Sequence, residues 1–173
     1  MTAGSVEARP AREPAPAPIL VLGLGNLLLG DDALGLQLLS RLSADALPNV
    51  EFVDGGTQGL ALLGYLSDRR GILILDAVGL GAAPGAVHVL DGADLDGLRA
   101  RRSTTAHEGN ALELLSTARL MGEKMGRLIV VGVEPARVAT GIGLSEAVEA
   151  ALPAALQQAR CAIRELAGPT PQS

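Results

Sequence analysis

Asp32, Asp76 and His107 have the side-chain types and positions to act together at one chemical site. Two carboxylates and an imidazole suit a borderline divalent ion such as nickel or zinc, and three protein donors leave coordination positions open for water or substrate. Either carboxylate is also a candidate general base. Asp32 follows an apolar run at residues 19–24 (ILVLGL) and a loop containing Gly25 and Asn26. Its neighbour Asp31 is read as a cap on the helix that follows, where a carboxylate meets free N–H groups and the positive end of the helix dipole. Asp76 lies near the carboxyl end of ILILDAV, residues 72–78. A charge in such a run is costly without partners, and ligands of open α/β sheets gather beyond the carboxyl ends of strands. His107 stands at the start of a helix expected over 108–121. The positive end of a helix favours the neutral ring that binds metals, although an ordinary surface role is equally open.

Hydrophobic patterning supplies the elements that would bring these groups together. Strands are expected at 19–24, 50–54, 72–78, 86–90 and 127–133, with helices after the first, second and fourth and a long one from Ser145 onward. The runs at 72–78 and 127–133 are continuously apolar, as in strands covered on both faces. Only residues 79–85 separate the third strand from the fourth, too few for a helical crossover, so the fourth should run antiparallel to it. Residues 91–105 read as a polar connection. The pattern is a three-layer α/β/α sandwich around a mixed, mostly parallel sheet of about five strands, with right-handed crossovers. His88, within the short fourth strand, is read as solvated or hydrogen-bonded, and Cys161 as structural.

Composition narrows the function classes. The 173 residues are 48% apolar and 19% charged, enough for one domain with a sizeable core. Fourteen basic against 19 acidic residues give a net charge of −5. The largest basic cluster is Arg99, Arg101 and Arg102, and the only aromatics are Phe52 and Tyr65. Nucleic acid is therefore not expected as a partner. A single cysteine excludes an internal disulfide and fits a reducing compartment. Residues 1–18, rich in Pro and Ala, are expected to be a disordered tail, residues 19–167 the single domain, and residues 168–173 a flexible end. No apolar stretch reaches the roughly 18 residues of a membrane helix. A cytoplasmic monomer with no membrane insertion is expected.

Several enzyme templates fail on spacing. Ala111 stands where a zinc-protease helix beginning at His107-Glu108 needs its second histidine, and no Gly-x-Ser-x-Gly elbow occurs. Gly23 and Gly25 make half a dinucleotide fingerprint, with Asp54 as a possible ribose carboxylate, but Leu28 replaces the third glycine. Asp31 occupies the place of a phosphate-loop lysine.

Five blocks in order, GLGNLLLGDDALG (23–35), DGGTQG (54–59), ILILDAV (72–78), STTAHEGNAL (103–112) and VGVEP (131–135), resemble the nickel-iron hydrogenase maturation proteases, over nearly all of residues 19–163. The resemblance implies a phosphorylase/hydrolase-like fold. It further implies an endopeptidase that removes a short C-terminal extension from the hydrogenase large-subunit precursor once nickel has been inserted, the substrate carrying the metal. By position, the family's nickel-contacting residues fall on Asp32, Asp76 and His107. Many members carry Glu where this chain has Asp32, so that ligand is one methylene shorter here. A non-cleaving nickel-dependent chaperone or docking module for the same subunit, and a nucleotide-binding domain, are the competing classes.

Overall fold

The computed structural model describes residues 17–101 and 110–168. Five strands form one sheet: β1 (Ile19–Leu24), β2 (Val50–Gly56), β3 (Gly71–Ala77), β4 (Val87–Asp91) and β5 (Arg127–Val133), in spatial order β2-β1-β3-β5-β4. All neighbours are parallel except β4 and β5. The helices are α1 (Leu34–Ser43), α2 (Leu63–Leu66), α3 (Gly92–Arg101), α4 (Asn110–Leu120) and α5 (Glu146–Ala167). None of the described helices is long and apolar enough to cross a membrane.

The continuous apolar runs become the central strands because their side chains alternate between two separate cores. Val21, Leu73, Leu75, Ile129 and Val131 pack under α1 and α5, whereas Leu20, Leu22, Ile72, Ile74 and Val130 pack under α2 and α4. Each fully buried leucine, such as Leu22 on one face or Leu73 on the other, contributes about 1.5–3 kcal/mol relative to exposure.

One expectation holds with a neighbour that linker length does not name, and one is corrected. The fourth strand does run antiparallel, but it pairs with β5 rather than lying beside β3: β5 sits between them. The linker after β3 passes the end of β5 and is tied to it, Gly85 N–H donating to the Glu134 carbonyl and Glu134 N–H to the Ala86 carbonyl. Crossing one intervening strand means about 10 Å, which a short linker spans without a helix. Residues 91–105 are also not simply a polar connection, since α3 occupies their first part. The Asp91 side chain accepts from the N–H groups of Ala93 and Asp94, and Asp94 accepts from Asp91 N–H, a reciprocal cap. Leu95 is buried under this helix, too little apolar surface to leave a helical period in the sequence.

Candidate active site

The connections leave the sheet in opposite directions at β1 and β3. From β1 the chain goes through α1 on one face to β2, and from β3 it continues toward β4 and, through α4 on the other face, to β5. The switch point, where open α/β sheets bind ligands, therefore falls beyond the carboxyl ends of β1 and β3. Asp32 follows the loop that leaves β1, and Asp76 is the penultimate residue of β3.

Asp32 lies in a single 3₁₀ turn, Asp31–Ala33, that leads into α1. Its Oδ2 accepts from Asn26 N–H at 2.8 Å, closing the loop between strand and helix. Two glycines permit this closeness. Gly25 has φ 126°, and a Cβ there would run into the Asp32 carbonyl oxygen. A Cβ at Gly35 would strike the carbonyl oxygens of Leu24 and Leu75, so the start of α1 is pressed onto the ends of both strands. Asp32 is half-buried, and burial raises its carboxyl above the ordinary aspartate value, an effect the Asn26 N–H only partly offsets.

Asp76 is fully buried. Its Oδ1 accepts from Ala77 N–H at 2.9 Å and its Oδ2 from Ala111 N–H, in the first turn of α4, at 2.8 Å. The carboxylate thus ties the end of β3 to the start of α4, the helix that His107 precedes in sequence. His107 itself lies outside the described residues. Among the described residues, no group of three or more His, Cys, Asp or Glu side chains is placed to hold a metal ion.

Asp31 is a further correction. It makes no side-chain cap on its own helix. Its buried carboxylate instead accepts from Ala136 N–H at 2.8 Å, Arg137 N–H at 2.9 Å, Ser145 N–H at 2.6 Å and the Ser145 hydroxyl at 2.9 Å. Burial alone would raise its pKa, but the bonds from Ser145, Arg137 and Ala136 outweigh burial and hold the carboxyl below the usual aspartate range. The loop so anchored meets the loop after β1: Gly30 N–H donates to the Gly141 carbonyl and Gly141 N–H to that of Leu28. Leu27, Leu28, Val138 and Ile142 are exposed on these two loops.

Glu134, just beyond β5, is the second carboxylate whose part sequence reading does not identify. It accepts from Leu80 N–H at 2.8 Å, Gly81 N–H at 3.0 Å and the His88 ring, Nε2 to Oε2, at 3.1 Å. His88 is hydrogen-bonded, as its place in a short edge strand suggests. Burial opposes ionisation of Glu134, but the Leu80 N–H, the His88 ring and the Gly81 and Ala82 N–H groups together hold its pKa below the ordinary glutamate value. The unfolded chain therefore takes up this proton at higher pH than the folded one. The stabilisation is complete above the unfolded value, about 4.3, and is lost as pH falls through the lower folded value. Glu134→Gln is expected to lower stability at neutral pH by about 1–3 kcal/mol and to flatten the acid limb of stability against pH. Denaturant melts across that range check it; an unchanged acid limb would make these contacts incidental.

A five-stranded, mostly parallel mixed sheet agrees with what comparison with known proteins finds. The sequence model of the hydrogenase maturation protease family matches residues 36–161, and the chain belongs to that family. It is 39% identical over 150 residues to the hydrogenase 2 maturation protease of Escherichia coli (strain K12), covering 85% of this chain and 91% of that protein. It is 32% identical to the hydrogenase expression/formation protein HupD of Rhizobium leguminosarum bv. viciae, over 84% of this chain and 74% of that one. Among solved structures, it resembles the hydrogenase maturating endopeptidase HybD from E. coli with a TM-score of 0.73 and 36% identity, covering 87% and 93% of the two chains. The hydrogenase 2 maturation peptidase from a Thaumarchaeota archaeon gives 0.63 and 32%, covering 84% and 97%.

Proposed function

We propose that this chain is an endopeptidase that removes the C-terminal extension of a nickel-iron hydrogenase large-subunit precursor, and that the precursor brings the nickel. The observation that carries this reading is the position of Asp76 at the end of β3 and of Asp32 in the turn between β1 and α1, on the two strands that flank the switch point, in a chain of the hydrogenase maturation protease family. Asp32, Asp76 and His107 are the proposed contacts to the substrate's metal. Oxygen and imidazole donors suit nickel, and a few of them complete a coordination sphere that the substrate has already begun.

Hydrolysis needs a water made nucleophilic and a scissile carbonyl made electrophilic, and a bound metal can assist either. Asp32 is the better proton acceptor of the two carboxylates. It is half-buried with a raised pKa, whereas Asp76 is fully buried with both oxygens accepting backbone N–H groups. Water oxygen bonds to the carbonyl carbon as its proton passes to Asp32. The carbon–nitrogen bond then breaks, and the leaving amine takes that proton. Exposed Leu27, Leu28, Val138 and Ile142 offer an extended peptide apolar contacts near this point.

The test is incubation with nickel-loaded precursor followed by intact mass. Loss of a C-terminal peptide is the expected result. Retained binding without a change in mass would replace the protease with the docking module.

A further inference from the structure

We infer that Asp31 is a positioning residue that acts through Asp32. This rests on the assignment of precursor cleavage to the switch point at β1 and β3. Asp32 is the shorter of the two acidic residues that could stand at its position, so its reach depends closely on the backbone that carries it. Its own side chain has a single hydrogen bond among the described residues, from Asn26 N–H. The residue before it, by contrast, is fixed from several directions. The Asp31 carboxylate takes four donors from the segment 136–145, and Asp31 N–H donates to the Arg137 carbonyl at 3.1 Å. Because Asp31 and Asp32 are consecutive in one 3₁₀ turn, anchoring the first restricts the peptide from which the second projects.

The donor arrangement requires a carboxylate. Oδ2 accepts three of the four bonds and Oδ1 the fourth, from Ser145 N–H. An asparagine with its oxygen at the Oδ2 place would set its amide NH₂ against Ser145 N–H, and the flipped amide would set it against the N–H groups of Ala136 and Arg137. Ser145 contributes as well. It is the residue before α5, yet its hydroxyl makes no cap on that helix and donates to Asp31 instead.

The experiment follows Asp31→Asn and Ser145→Ala by two readouts. The first is amide hydrogen exchange at Asn26, whose N–H reports directly on the Asp32 carboxylate. The second is the separation of kcat from KM in precursor cleavage. In Asp31→Asn, Asn26 exchange is expected to rise about tenfold or more and kcat to fall by roughly ten- to a hundredfold with KM little changed. Ser145→Ala, which removes one donor of four, should show the same pattern more weakly, and it carries the test if the asparagine variant does not fold. Unchanged Asn26 protection in a folded variant, or an unchanged kcat, would overturn the inference. A wild-type protein that leaves the precursor intact would refute the proposed function instead, while Asn26 exchange would still decide whether Asp31 orients Asp32.

Discussion

Asp76→Asn is expected to abolish precursor cleavage and to cost about 1–3 kcal/mol of stability. Both effects follow from one geometry. The carboxylate is wholly buried at the end of β3 and accepts N–H groups from Ala77 and from Ala111 of α4. An asparagine has one acceptor oxygen, so one of these donors would face an NH₂ group. As a residue near an element end, Asp76 reads from sequence alone as one whose substitution leaves the fold largely intact; its burial makes a measurable loss of stability the better expectation. The functional loss should be much larger than the structural one. Polarisation by a metal supplies several kcal/mol of transition-state stabilisation, and forfeiting a share of that near 4 kcal/mol corresponds to about a thousandfold in rate. Thermal melts and cleavage rates measured on the same sample separate the two. A folded Asp76→Asn variant that processes precursor at the wild-type rate would remove Asp76 from the site.

How much of this is legible in the sequence depends on how local the determining contacts are. The strands β1, β3 and β5 stand out because each buries both faces, and Asp76 is conspicuous as a charge in such a run. The antiparallel sense of β4 follows from linker length, but its neighbour does not, since the partner β5 comes later in the chain and inserts between β3 and β4. The helix α3 is hidden because caps at Asp91 and Asp94, rather than an apolar face, mark its start. Asp31 deceives for a related reason. A carboxylate opening a helix has a local explanation, whereas its actual donors lie in the distant loop before α5. Glu134 likewise meets donors from the linker after β3 and from His88, pairings that no spacing within VGVEP encodes.

Precursor carrying nickel is expected to be cleaved and metal-free precursor left intact, with the isolated protein binding nickel only weakly. Two carboxylates and one imidazole are few donors for tight capture, and nickel sites gain selectivity from ligand type and geometry more than from raw affinity. If the precursor supplies the remaining ligands, recognition of metal and of peptide becomes one event, and the extension is removed only after the metal is in place. The length of the acidic ligand then becomes a direct probe. Asp32→Glu should keep activity, because the longer side chain reaches the same metal while Asn26 N–H can still find an acceptor. Asp32→Ala should lose most activity, since it would remove both the proposed metal contact and the proposed proton acceptor. Chelation before nickel insertion should block cleavage, and free nickel added with an unrelated peptide should produce none. Intact mass on loaded and unloaded precursor, alongside calorimetric titration of the protein with nickel, measures all of these. Efficient cutting of metal-free precursor, or tight stoichiometric nickel in the protein alone, would overturn the substrate-borne metal and make an ordinary metallopeptidase the better description.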